Sequence, residues 1–144
     1  MVVATDTSFL FSLYGNDCNS ATSLQWIKHN RDGILITSLN QFELANSLRF
    51  AECRKALAHG RANLFIAHFE MDLLGGRLIH KPCNLAVILA EATRLSAAHT
   101  LTGGHRGFDI LHVAAARIMG ATHFLTFDSN QQRLASAAGF KLPL

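Results

Sequence analysis

Disulfide chemistry has no footing in this 144-residue chain, because its three cysteines, Cys18, Cys53 and Cys83, are odd in number, far apart and without any C-x-x-C pair. A thiolate zinc site lacks its ligands for the same reason, and the expectation is three buried, reduced thiols. Charged residues are sparse at 16 % and hydrophobic ones abundant at 49 %, which excludes a disordered chain. The apolar residues come in short runs such as Gly33-Ile34-Leu35-Ile36, far short of the roughly 20 needed to cross a bilayer, so no membrane association is expected. The opening Met1-Val2-Val3-Ala4-Thr5-Asp6 has no basic region and meets an acid at once, unlike a secretory signal, so a cytoplasmic location is expected. With only two prolines and no repeat or low-complexity tract, nothing marks a linker, and residues 1–144 read as one domain.

The formal charge of +3 decides little by itself. If four of the ten acids gather in one site, however, the other six face 13 Lys and Arg, and the remaining surface becomes basic enough to suit a polyanion.

What the chain does have is alternation. Val2–Thr5 is a β-branched run that ends at Asp6-Thr7-Ser8, residues suited to cap a helix near Phe9. A second helical stretch runs from Ser20 to His29, and Asn30–Gly33 turns into a strand over Ile34–Thr37. Ser38 is expected to cap a long helix bearing Glu43, and Arg61–Leu74 reads as another amphipathic helix. Gly75-Gly76 breaks it before a third strand at Arg77–His80 and an apolar helix over Asn84–Ala98. His99–Gly107, with three glycines, is expected to be a mobile loop leading to a helix over Phe108–Met119. Thr122–Phe127 reads as a fourth strand ending at Asp128, followed by a helix from Ser129 and a short strand at Phe140–Leu142. Strands separated by helices predict right-handed crossovers and an α/β fold, its mainly parallel sheet of four or five strands covered on both faces. Ligands of such sheets gather at the carboxyl ends of the strands.

Four acids fall where that rule points. Asp6 and Asp128 follow strands one and four, and Glu43 and Asp109 lie in the first turns of helices that can open beside the same edge. Crowded carboxylates raise one another's pKa and favour a bound cation; with no Cys and no paired His in the set, that cation is Mg²⁺ or Mn²⁺ rather than zinc. The chemistry such a site serves is phosphodiester hydrolysis. Asp6 and Asp128 also suit plain helix capping, and Asp109 suits the helix dipole, so only the set of four carries the argument.

The chain resembles the PIN-domain ribonucleases, and within them the toxins of VapBC-type toxin–antitoxin pairs. The resemblance rests on Asp6-Thr7-Ser8-Phe9-Leu10, Thr37-Ser38 through Phe42-Glu43-Leu44-Ala45-Asn46, Arg106–Asp109 leading into Leu111-His112-Val113-Ala114, and Leu125-Thr126-Phe127-Asp128. It implies an α/β/α sandwich in which Asp6, Glu43, Asp109 and Asp128 are catalytic and hold Mg²⁺ or Mn²⁺. It further implies endonucleolytic RNA cleavage to a 3′-hydroxyl and 5′-phosphate, a homodimer, and an antitoxin that blocks the site. Ser8 and Thr126 match hydroxyls that steady such a site, and Asn130 stands where the family carries a further acid or Asn. His112, one turn after Asp109, shares its face, and Arg106 with His105 offers cations for RNA phosphate.

The helices from Ser38 to Leu74 carry more apolar residues than one buried stripe needs, which points to a helical arm that receives an antitoxin helix. Rival readings fit less well. A haloacid-dehalogenase-like phosphatase needs a second Asp two residues after the first, where this chain has Ser8, and a receiver domain needs an acid pair and a late lysine that are missing. A non-catalytic RNA-binding or scaffold domain of the same shape remains the non-enzymatic alternative.

Overall fold

The computed structural model describes every residue from Met1 to Leu144. In chain order the elements are β1 (Val3–Thr5), α1 (Thr7–Tyr14), α2 (Ser20–His29), β2 (Ile34–Ile36), α3 (Ser38–Cys53) and α4 (Arg61–Leu74), then β3 (Leu78–His80), α5 (Leu85–Gly103), α6 (Gly107–Ile118), β4 (His123–Leu125) and α7 (Ser129–Ala137). The four strands form one sheet in the order β3-β2-β1-β4, every pair parallel. The expected fifth strand at Phe140–Leu142 shrinks to one parallel bridge between His123 and Lys141.

Because strand residues alternate between faces, Val3, Ile34, Ile36 and Leu125 point into one core with Phe9, Leu44 and Leu48. Ala4, Leu35 and Phe124 point into the other, against Val113, Ala114 and Leu134. Helices α1 to α4 therefore cover one face and α5 to α7 the other, the three-layer α/β/α sandwich expected. Tyr14 Oη donates to Asp72 Oδ2 at 2.7 Å and ties α1 to α4.

Three expectations need correcting. Residues 99–103 are the last turn of α5, and only residues 104–106 connect it to α6. Gly104 takes up φ 64°, the left-handed conformation that ends a helix, and the His105 ring folds over Gly103, where any Cβ would collide with it. The glycines thus serve a tight helix stop rather than a loop, and His105 is buried instead of reaching for phosphate. Helix α3 is capped by Thr37, not Ser38: Asn40 Oδ1 accepts from the Thr37 backbone N–H at 2.9 Å in a capping box. The thiols are not buried as expected, since Cys18 and Cys53 are exposed and Cys83 is only partly covered.

Phe9 is fully buried where α1 meets the sheet, edge-on to Trp26 with centroids 5.8 Å apart and stacked on Phe127 at 5.9 Å. Phe9→Ala is expected to cost about 3–5 kcal/mol, read as a lowered urea midpoint with little change in slope.

Candidate active site

Parallel pairing puts the ends of β1 and β4 side by side, with Thr5 opposite Leu125 and the Asp6 backbone N–H donating to Leu125 O at 3.1 Å. The chain leaves β1 for β2 on one side and returns as β4 on the other, so the crevice for ligands opens there. A cleft of about 410 Å³ occupies that place, and Asp6, Glu43, Asp109 and Asp128 all line it together with Arg106 and His112.

Asp6 caps α1 by accepting from the Phe9 backbone N–H at 3.1 Å, and it is only 2 % exposed. Burial pushes its carboxyl up to about 6, against the pull of hydrogen bonds from Thr126, Phe9 and Ser8. Those bonds are short: Thr126 Oγ1 donates to Oδ2 at 2.6 Å and Ser8 Oγ to Oδ1 at 2.8 Å. Both hydroxyls also accept from the backbone of the next segment, Ser8 from Phe127 N–H and Thr126 from Asp128 N–H. Orienting Asp6 and fixing the turn after β4 are therefore one network.

Glu43 comes from α3, whose start is pinned to the sheet by Asn40 Nδ2 donating to Thr5 O at 3.0 Å. Its Oε2 accepts from Thr7 and meets His112 Nε2 at 2.6 Å. Asn40 fixes the histidine tautomer: its Oδ1 accepts from Thr37 N–H, so its Nδ2 faces His112 Nδ1 at 3.4 Å as a donor, leaving Nε2–H to donate to Glu43. Burial works to raise the Glu43 carboxyl, but the bonds from His112 and Thr7 and the charge of Arg106 prevail and hold it below the usual range. Asp109, in the first turn of α6, and Asp128, the cap of α7, are bridged by one guanidinium. Arg106 Nε lies 3.1 Å from Asp109 Oδ2 and Nη2 lies 3.3 Å from Asp128 Oδ2. The Arg106 side chain is itself 73 % exposed.

The charge balance differs from the one expected of acids alone. No three His, Cys, Asp or Glu side chains are closed enough to hold an ion unaided, and Arg106 supplies the positive charge between Asp109 and Asp128. The donor set nevertheless suits Mg²⁺ or Mn²⁺: it is oxygen-only, it lines an open cleft, and Mg²⁺ takes one or two carboxylates while keeping several waters.

Ser8, Thr126 and His112 thus stand against the acids. Asn130 does not, because its amide donates to Gly104 O and accepts from Arg133 on the outer side of α7. Sequence reasoning missed Thr7, Asn40 and Gln131, the last donating from Nε2 to Asp109 O at 3.1 Å and from its backbone to Asp128 Oδ1 at 2.9 Å. It also missed Asp17, a fifth acid lining the cleft from the α1–α2 connection and held by Ser12 Oγ at 2.7 Å. The Asp-x-x-Gln spacing from Asp128 to Gln131 at the start of a helix was the available sign of Gln131's position; Asp17 had none.

A parallel sheet with acids from four separate segments at its switch point defines a class, the small α/β domains that carry an acidic cleft at the carboxyl edge. The chain belongs to the PIN domain family, which it matches over residues 3–137. Solved structures repeat the fold. VapC20 of Mycobacterium tuberculosis, described as a toxin cleaving the sarcin–ricin loop, is 18 % identical with a TM-score of 0.71, each chain covered over 96 %. PAE2754 from Pyrobaculum aerophilum is 21 % identical with a TM-score of 0.61, over 99 % of this chain and 89 % of that one. FitAcB from Neisseria gonorrhoeae is 15 % identical with a TM-score of 0.66, over 98 % and 96 %. No curated protein sequence gives a significant match.

Asp6 provides a stability test. Its carboxyl titrates near 6 in the fold against 3.8 for the ordinary group, so its protonation favours folding below 3.8 and that gain is lost as pH rises through 6. Without added metal, Asp6→Asn is expected to be more stable than the parent at neutral pH by up to about 3 kcal/mol, and the difference should close below pH 4. Denaturant titrations of both proteins across that range measure it.

Proposed function

We propose that this chain is a divalent-metal-dependent endoribonuclease that hydrolyses RNA phosphodiester bonds, and that it is the toxin of a type II toxin–antitoxin pair. The observation that carries the reading is the convergence of Asp6, Glu43, Asp109 and Asp128 on one cleft, each with its own positioning bonds. A helix cap has no use for a second hydroxyl dedicated to its carboxylate, whereas a ligand that must keep one orientation does. Membership of the PIN domain family supports nuclease chemistry, and the fold shared with VapC20, a toxin cleaving the sarcin–ricin loop, supports RNA as substrate.

In this reading the four carboxylates hold Mg²⁺ or Mn²⁺, which when bound supplies the charge that polarises the phosphate and acidifies the attacking water. The chain's own residues do the rest. Ser8 and Thr126 hold both oxygens of Asp6, and His112 with Thr7 holds Glu43, so the ligands do not reorganise when substrate arrives. Arg106, exposed and anchored only at its tip, is placed to release Asp109 and Asp128 to the cation and grip the RNA phosphate in their stead. Asn130 contributes through the α5–α6 connection it braces rather than by touching substrate.

The partners follow the exposed apolar surfaces. The outer face of α4, with Leu64 41 %, Met71 67 % and Leu74 90 % exposed, is the surface we assign to a cognate antitoxin helix. Across the molecule, Leu85 and Leu89 of α5, one turn apart, leave a second apolar surface, which we assign to a homodimer. No helix is long and apolar enough to cross a membrane, and a cytoplasmic site of action fits an RNA substrate.

Total RNA incubated with the purified chain is expected to be cut in Mg²⁺ or Mn²⁺ and to survive when a chelator is present. Asp6→Asn and Asp109→Asn should abolish cutting. His112→Ala, which removes one of the two groups that orient Glu43 and leaves Thr7 in place, should lower kcat/KM by roughly 10- to 100-fold. Divalent cation should raise the Tm of the parent and not of Asp6→Asn. Cutting that is indifferent to chelator, or RNA binding by the parent without any cutting in metal, would favour the scaffold alternative.

A further inference from the structure

The outer side of α3 leads away from the cleft and is built unlike the apolar faces of α4 and α5. Glu43, Ser47, Phe50 and Arg54 follow one another at i, i+4, i+7 and i+11, which puts them on one side of the helix in a row. The row starts at Glu43 and Ser47, which line the cleft, and ends at the α3–α4 turn. Phe50 is 57 % exposed, and the Arg54 guanidinium lies over its ring at 5.4 Å. Arg49 and Lys55 flank the pair, both exposed, and with His59 they line a hollow of about 740 Å³ in the turn.

The charge here is unbalanced. Arg49, Arg54 and Lys55 take part in none of the ion pairs of the molecule, as is true also of Lys28, Arg31, Arg61, Lys81, Arg133 and Lys141; what sets the three apart is that they lie within seven residues of one another, beside the exposed Phe50. The acid among them, Glu52, is turned inward: its two oxygens accept the backbone N–H groups of Gly60 at 2.8 Å and Ala62 at 2.9 Å. Phe and Arg occur in protein interfaces as well, but three cations with no acid facing them would need an acidic partner surface there. They match single-stranded nucleic acid, which offers a phosphate to each cation and a base to the ring. A helix rises 1.5 Å per residue, so Phe50 stands about 10 Å and Arg54 about 16 Å beyond Glu43, within reach of the few nucleotides next to the cleft.

Building on the nuclease reading above, we propose that the outer side of α3 and its turn is a track for the single-stranded RNA that flanks the scissile phosphate. Arg49, Arg54 and Lys55 take successive phosphates, and Phe50 stacks beneath a base. The track gives the enzyme a preference for long over short substrates without asking anything of the cleft itself.

The test compares the full-length parent with Arg49→Ala/Arg54→Ala/Lys55→Ala and with Phe50→Ala, all surface changes whose folding is checked by thermal melts. Binding of a fluorescent single-stranded RNA of about ten nucleotides is followed over a salt series in chelator. The triple variant should lower the slope of log Kd against log salt by about 2, three contacts at about 0.7 each, whereas Arg49→Lys/Arg54→Lys, which keeps all three charges, should leave the parent's slope unchanged. Phe50→Ala should weaken binding about tenfold or more at every salt concentration. In metal, both variants should lose kcat/KM on the long RNA and keep that of the parent on a dinucleotide. An unchanged slope in a protein that still cuts RNA overturns the track and leaves the nuclease reading standing. So does an unchanged slope accompanied by loss of a dimer in light scattering, which would make the face a subunit contact. A parent that neither binds nor cuts RNA removes both readings together.

Discussion

The parallel pairing of β1 with β4 is the constraint on which the rest depends. It joins the first strand of the chain to the last, closing the longest loop in the fold, and it does so through only three residue pairs from Val3↔His123 to Thr5↔Leu125. So short a ladder needs reinforcement, and most of it comes from groups that also shape the cleft. Thr5 Oγ1 donates to Leu125 O, Ser8 accepts from Phe127 N–H, and Thr126 reaches across to Asp6. The seam of the sheet and the floor of the site are held by the same hydrogen bonds. A substitution at Ser8 or Thr126 therefore acts on stability and on ligand geometry together, and the two effects separate only when measured side by side.

That arrangement explains why a carboxylate is tolerated at 2 % exposure. Isolated in an apolar interior, an ionised Asp6 would be far too costly; hydrogen bonds from three donors, Ser8, Phe9 and Thr126, and the positive end of α1 offset part of the penalty and leave the residue raised rather than permanently neutral. The remaining strain is what a cation would relieve, and this is the usual exchange of stability for function at a site that must be ready before its ligand arrives. Arg106 plays the complementary part. Its charge quiets Asp109 and Asp128 while nothing is bound, and because it is the most exposed member of the cluster it is also the easiest to displace.

Much of this was legible in the residues, and what was not has a common physical cause. Strand and helix order followed from apolar periodicity, and the four acids followed from the rule that parallel sheets bind at their carboxyl edge. Capping and site geometry looked like competing explanations for Asp6 and Asp128, yet both residues cap a helix and line the cleft, since a helix that begins at a strand's end points its free N–H groups at the same crevice. The misreadings arose where a partner far away in sequence decides. Gly103 and Gly104 looked like a loop because the His105 ring packed over them cannot be seen locally. Thr7 and Asn40 looked like ordinary polar helix residues, and only the pairing of β1 with β2 and the packing of α6 against the sheet bring them to Glu43 and His112. The exposure of Cys18 and Cys53 is decided by which side of a helix or turn faces out, and a lone thiol carries no pattern from which to infer that.

The helix α3 shows how one element answers to several demands. Its buried side, Leu44 and Leu48, packs under the sheet, and its first turn is locked to β1 through Asn40, so Glu43 has no freedom of its own. Everything beyond Ser47 on the outer side is released from both duties, and there the composition changes from apolar and acidic to Arg49, Phe50, Arg54 and Lys55. A surface with no role in packing would be expected to mix charges of both signs, as α5 does where Glu91 pairs with Arg94 and Arg117. An outer face of single sign that begins at the cleft wall and carries its own exposed ring is what the proposed RNA track requires of a surface leading away from the cleft.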